Sequence, residues 1–141
     1  MLDYRRAFKP QTPGAKPHAI LTLSVVCADT DAEAERLSAS LILSFVLLRT
    51  GQKATLLPPD EAGAYKFSTP EKMLANALWP LHIVGSPATV KKRIDSMVAR
   101  TQADEVMITT FVHGHAERLR SYELLSQAFA LKETPTLQTV S

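Results

Sequence analysis

The amino-acid sequence predicts an α/β fold in which parallel strands alternate with helical crossovers. Three observations carry that expectation. The segments His18 to Ala28 and Glu105 to Thr110 are rich in β-branched and aliphatic residues, as strands buried in a parallel sheet are. Between them, two stretches place apolar residues at the 3.6-residue period of a helix. Strands linked through helices pair in parallel with right-handed connections. The same pattern leaves a deficit: about four helices accompany only two convincing strands, yet a parallel sheet needs both faces covered and its edges partnered. The chain therefore reads as a piece of a larger barrel or sheet.

Taken in order, Leu2 to Phe8 is short, charged and weakly helical, with Tyr4 and Phe8 four residues apart. Residues 9–17, KPQTPGAKP, form an extended connector, because three prolines and a glycine exclude regular structure. The first strand, His18 to Ala28, sets Leu21, Leu23, Val25 and Cys27 on one face, which should meet helices. Its other face holds Ile20, Thr22, Ser24 and Val26 and so carries two hydroxyls. Thr30 and Glu33 make a capping-box pattern that starts a helix over Asp31 to Arg49. Its second half, Leu41 to Leu48, is apolar nearly all round and must be buried on several sides. Thr50-Gly51 ends it, and Gln52 to Phe67 is irregular, long enough to be functional or mobile.

Thr69-Pro70-Glu71 begins a short helix reaching Trp79, which Pro80 ends. Gly85-Ser86-Pro87 reads as a tight turn into the next helix, with Ser86 as the N-cap accepting backbone N–H groups and Pro87 at the first helical position. Val90, Ile94, Met97 and Val98 make its packing face; Lys91, Lys92, Asp95 and Arg100 lie largely opposite. Thr101 to Asp104 stops it before the second strand, Glu105 to Thr110, expected to be buried. A last helix runs to about Leu131 with its apolar line through Leu119, Tyr122, Leu125 and Phe129. Residues 132–141 are a polar, flexible tail, and the whole of 1–141 reads as one domain.

The totals narrow the function classes. A formal net charge of +2 is too small to indicate nucleic acid or an anionic membrane as partner, so Lys91, Lys92 and Arg93 read as a solvated helix face. The longest apolar run, Leu41 to Leu48, is far shorter than the roughly 20 residues of a bilayer span, and no signal-peptide core appears. The single Cys27 cannot form an intramolecular disulfide and fits a reducing, cytoplasmic setting. His113-Gly114-His115 lacks the further ligands of a metal site; His115, with Glu117 and Arg118, reads as a hydrogen-bonding start to the last helix. The helix start at Ser86 could hold a phosphate or serve as a plain cap.

Several motifs together carry a family resemblance. They are Tyr4-Arg5 with Phe8 and Pro10; Ala28-Asp29-Thr30 with Glu33-Ala34; Val84-Gly85-Ser86-Pro87 with Val90; Thr101 with Ala103-Asp104-Glu105-Val106-Met107; and His115, Arg118-Leu119 and Ser121 to Leu125. In this order they resemble the C-terminal portion of the luciferase-like, flavin-dependent monooxygenases. That resemblance implies part of a (β/α)8 TIM barrel, with Ala19 to Ala28 as the seventh strand, Glu105 to Phe111 as the eighth and Gln52 to Leu81 as an insertion. It implies an oxidoreductase using reduced FMN and molecular oxygen on an organic substrate. The catalytic face of such a barrel lies at the C-terminal ends of its strands, which here offer Asp29, Thr30, Thr109, Thr110 and His113. Ser86, Thr109, Thr110 and His113 are thus the candidate cofactor contacts, and no catalytic residue is assigned. The family's flavin-phosphate segment lies in strands this chain does not contain. The expectation is a chain incomplete by itself, joined as a homodimer or to a complementary chain supplying the rest of the barrel. The alternative is a non-catalytic half-barrel remnant acting as a dimerising or binding module.

Overall fold

The computed structural model describes residues 1–131; the tail expected over 132–141 lies outside them. The elements are α1 (Leu2–Ala7), β1 (Ile20–Cys27), α2 (Asp31–Arg49), α3 (Pro59–Gly63), α4 (Thr69–Leu78), β2 (Ile83–Gly85), α5 (Pro87–Thr101), β3 (Glu105–Thr109) and α6 (His115–Ala128), with one 3-10 turn at Trp79–Leu81. The strands form a parallel sheet in the order β2-β1-β3. β3 pairs with the first half of β1, from Ile20 opposite Glu105 to Ser24 opposite Thr109, and β2 with the last three residues, from Val25 opposite Ile83 to Cys27 opposite Gly85. The pairing of the two expected strands is as anticipated. The third strand was not expected: Ile83 and Val84 were given no element and Gly85 was read into the Gly85-Ser86-Pro87 turn, because three residues are too few to show a period, and the open edge of β1 recruits them.

The strand order places helices on both faces. Passing from β1 to β2 and then from β2 back across to β3 moves in opposite directions along the sheet, so right-handed crossovers fall on opposite sides. On one side Leu23, Val25 and Cys27 of β1 and Ile83 of β2 pack against Val90 and Ile94 of α5 and Leu124 and Leu125 of α6. This is the face of β1 expected to meet helices. On the other side Val26, Ala28 and Val84 pack against Ala34, Leu37 and Leu41 of α2. Leu41, Ile42, Leu43 and Val46 are all buried, and Ile42 and Val46 also meet Leu78 of α4. The all-round apolar half of α2 is thereby explained, since it fills the space between the sheet and α4; Leu48 alone stays open, 59% exposed.

Helix ends depart from the sequence reading in instructive ways. Thr30 accepts the Glu33 N–H at 3.1 Å, but the Glu33 carboxylate binds Arg36 instead of returning to the cap. The complete capping box is Ser68 with Glu71. Glu71 is also buried and receives Gln52 at 3.1 Å and the Tyr65 hydroxyl at 3.2 Å, and these hydrogen bonds hold its carboxyl below the usual range, those from Ser68 foremost. The stretch expected to be irregular is therefore tied at both ends to α4 and contains α3. In α6 the expected apolar line holds in its second half only: Leu125 is buried and Phe129 packs against the same cluster, but Leu119 and Tyr122 are 49% and 42% exposed while Ser121 and Leu124 are buried. β3, expected to be buried, is an edge strand with Met107 50% exposed.

Candidate functional site

The C-terminal ends of the three strands and the N-termini of α2, α5 and α6 meet at one end of the sheet. This rim collects every candidate position from the sequence: Asp29 and Thr30 after β1, Ser86 after β2, and Thr109, Thr110 and His113 at the end of β3 and beyond. Three helix N-termini bring partial positive charge to the rim, and the chain answers with carboxylates. Asp31 of α2 reaches across to α5, where its Oδ1 accepts the Ser86 N–H at 2.6 Å and its Oδ2 accepts the Thr89 hydroxyl at 3.3 Å. The hydrogen bonds from Ser86 hold the Asp31 carboxyl below the usual carboxylate range. Ser86 makes no side-chain cap bond; its hydroxyl donates to Thr89 at 3.3 Å. The cap bond expected of the Ser86 side chain is not made; a charged oxygen from another helix takes the N–H of the cap residue itself, a charge-assisted bond.

Gly85 permits this contact. Its φ is +155°, and a Cβ there would lie 2.7 Å from Thr89 Cγ2 and 2.9 Å from Asp31 Oδ1. A side chain would push the carboxylate off the helix start.

α6 closes the other side of the rim with three consecutive residues. Arg120 makes a two-point ion pair with Asp29, at 2.6 and 3.3 Å, and reaches Glu123 at 3.2 Å. The Arg120 guanidinium lowers the Asp29 carboxyl. Ser121 Oγ accepts the Cys27 N–H at 3.0 Å, and Tyr122 Oη accepts the Thr110 N–H at 3.2 Å. These bonds satisfy strand-end donors that the sheet leaves unpaired. The sequence reading marked Ser121 only as part of a motif, put Tyr122 on the apolar line of the helix and passed over Arg120; the signal lay in three polar residues side by side where a helix meets a sheet. Cys27 lines the same corner, and burial pushes its thiol up to about 11, which makes it inert as a nucleophile.

Thr109 donates to the Leu23 carbonyl at 3.4 Å. Thr110 is 6% exposed, and its hydroxyl has no partner among the described residues. His113 is exposed. His115 pairs through Nδ1 with Arg118 at 2.9 Å, the hydrogen-bonding role expected of it. No group of three His, Cys, Asp or Glu side chains placed to hold a metal occurs among the described residues.

The rim cavity is about 220 Å³ and is lined by Cys27, Asp29, Glu33, Leu37, Glu117 and Arg120 among others. Ligand pockets for small organic molecules begin at roughly 300 Å³. Carboxylates outnumber the one guanidinium, and that guanidinium is already paired. This cavity therefore does not by itself fit a flavin phosphate or ring.

Fold and site together define a segment of a parallel α/β protein whose polar end is the C-terminal rim of its sheet. No family model matches the chain. Comparison with known proteins gives its relationship. It is 33% identical to a luciferase-like monooxygenase of Escherichia coli K12 over 121 residues, 86% of this chain and 36% of that one. It is also 33% identical to the uncharacterized protein YvbT of Bacillus subtilis over 126 residues, 89% of this chain and 38% of that one. The crystal structure of apo-MsnO8 superposes with a TM-score of 0.76 at 33% identity, over 93% of this chain and 40% of that one. The chain resembles the C-terminal portion of a luciferase-like monooxygenase and spans little more than a third of the length of the curated relatives it matches. No helix among the described residues is long and apolar enough to cross a membrane.

Proposed function

We propose that this chain is the C-terminal segment of a luciferase-like, flavin-dependent monooxygenase, part of a (β/α)8 barrel that oxidises an organic substrate with reduced FMN and molecular oxygen. The observation that carries this reading is 33% identity to the Escherichia coli luciferase-like monooxygenase across 86% of the chain. The described rim does not fit flavin alone, so the active site needs more polypeptide than these residues, whether from the same protein, a second copy or a complementary chain. In the completed site the contacts assigned to this chain are Thr109, Thr110 and His113, with Ser86 reaching the cofactor through its hydroxyl. The single buried Cys27 supports a reducing, cytoplasmic setting.

The second reading, a non-catalytic remnant that dimerises or binds without flavin, is favoured by one observation: carboxylates occupy the positions at the rim that an anion would take. Titration of the purified chain with oxidised and reduced FMN, followed by flavin fluorescence and by the mass of the complex, separates the two. Saturable stoichiometric binding supports the monooxygenase reading and leads to a test of oxygen-dependent turnover. No binding up to millimolar flavin supports the remnant.

A further inference from the structure

We propose that Asp104, backed by Arg5, is the positioning residue that sets the register of β3 on β1 and so fixes where Thr109 and Thr110 reach the rim. Only the role given to those two threonines rests on the proposed function; the register does not. Asp104 stands directly before β3 and grips Ala19, directly before β1, at both of its backbone groups. Its carboxylate Oδ2 accepts the Ala19 N–H at 2.8 Å, and its own N–H donates to the Ala19 carbonyl at 2.9 Å. One residue at the foot of each strand is thereby keyed to the other. The pairs that follow run in step from Ile20 opposite Glu105 to Ser24 opposite Thr109.

The clamp is backed from a third segment. The Arg5 guanidinium of α1 forms an ion pair with the same Oδ2, and it donates to the carbonyls of Gln102, at 2.5 Å, and Pro17, at 3.4 Å. It thus joins the turn before β3 to the connector before β1. α1 buries none of its residues, so the acceptors around Arg5, rather than apolar packing, hold it in place. The Ala19 N–H foremost, and Arg5 with it, keeps the Asp104 carboxyl below the usual carboxylate range, so the clamp is charged at neutral pH.

β3 needs such a clamp because its own pattern specifies register weakly. Val106, Met107 and Ile108 are apolar in succession, and Val106 and Ile108 are only half-buried. A slip by one residue would turn Met107 inward in their place, and a slip by two would keep the same faces. The consequence falls at the far end of the strand. A one-residue slip exchanges the sides that Thr109 and Thr110 face and withdraws Thr110 from Tyr122, whose hydroxyl accepts its N–H at 3.2 Å.

Nuclear magnetic resonance of the isotope-labelled full chain tests this, through cross-strand Overhauser contacts and amide hydrogen exchange. The parent chain should show the contacts of one register. Asp104→Ala should add a second set of β1–β3 contacts, displaced by one or two residues, and at least tenfold faster exchange from Val106 to Thr109, with α2 unchanged. Asp104→Asn keeps a side-chain carbonyl for the Ala19 N–H and should restore the single register, which a carboxylate serving only as the partner of Arg5 would not allow. Arg5→Ala should speed exchange at Ala19 at least tenfold. One register with unchanged exchange in Asp104→Ala overturns the proposal, as does Asp104→Asn behaving like Asp104→Ala. Where Asp104→Ala does not fold, Arg5→Ala decides, and unchanged exchange at Ala19 overturns the proposal. The readout involves no flavin, so a chain that binds no FMN yet slips in Asp104→Ala removes the proposed function and upholds the clamp.

Discussion

On one face of the sheet, Leu23, Val25 and Cys27 of β1 lie under α5 and α6 and are at most 7% exposed. On the other, Val26 is buried beneath α2, yet Ile20, six residues earlier on the same strand, is 47% exposed. The same backbone thus carries a finished core and an unfinished one. The covered face holds the fold together, because each apolar side chain removed from water contributes about 1.5–3 kcal/mol. The open face contributes little to the stability of the chain, since its apolar residues stay in water.

Substitutions can sharpen that contrast. The largest effect is expected from Ile94→Ala, at 2% exposure between α5 and the sheet, which should cost about 2–5 kcal/mol in urea denaturation; a cost under about 1 kcal/mol would show that α5 is not firmly seated. Gly85→Ala tests the rim where the two layers meet. The added methyl collides with Thr89 and Asp31 at a positive φ, and a loss of about 1–3 kcal/mol is expected by the same measurement. Ser121→Ala asks how α6 is held to the covered face, since it leaves the Cys27 N–H buried without an acceptor. A destabilisation of about 1–3 kcal/mol is expected, with unchanged stability meaning that water replaces the hydroxyl.

His82 belongs to the α2 side, where it packs on Phe45 at 5.4 Å between ring centres. Burial lowers its imidazole from the usual value of 6.5. Above that pH the ring is neutral in folded and unfolded chains alike. As the pH falls below about 6.5 the unfolded chain binds a proton before the folded one, so stability declines through that window. His82→Phe should flatten this part of the stability profile; an unaltered slope would place the ring in water. The smallest effect is expected from Met107→Ala on the open face, under about 1 kcal/mol, and a loss as large as that of Ile94→Ala would mean that the face is already covered in solution.

Part of this architecture was legible in the residues. The boundaries of α2 follow from Thr30 before it and Gly51 after it, and the alternation of β1 identified the face that meets helices. β2 was not legible, because Ile83 to Gly85 become a strand only through pairing with Val25 to Cys27. Nor was the inward face of the first half of α6: periodicity placed Leu125 and Phe129 rightly but also favoured Leu119 and Tyr122, where Ser121 turns inward to reach a strand-end N–H. Of the candidate site, the positions of Thr109, Thr110 and His113 could be named from where a strand ends. The filling of the Ser86 helix start by Asp31 could not, since 55 residues separate the two.

The sequence by itself determined the α/β class, the limits of α2 and α5 and the resemblance to a luciferase-like chain, because caps, periods and short motifs act over a few residues. The tertiary structure alone decided the strand order, the carboxylates at the rim and which half of the sheet stays open. Those depend on groups far apart in the chain competing for the same donors and the same apolar surface, and only packing settles which of them meet.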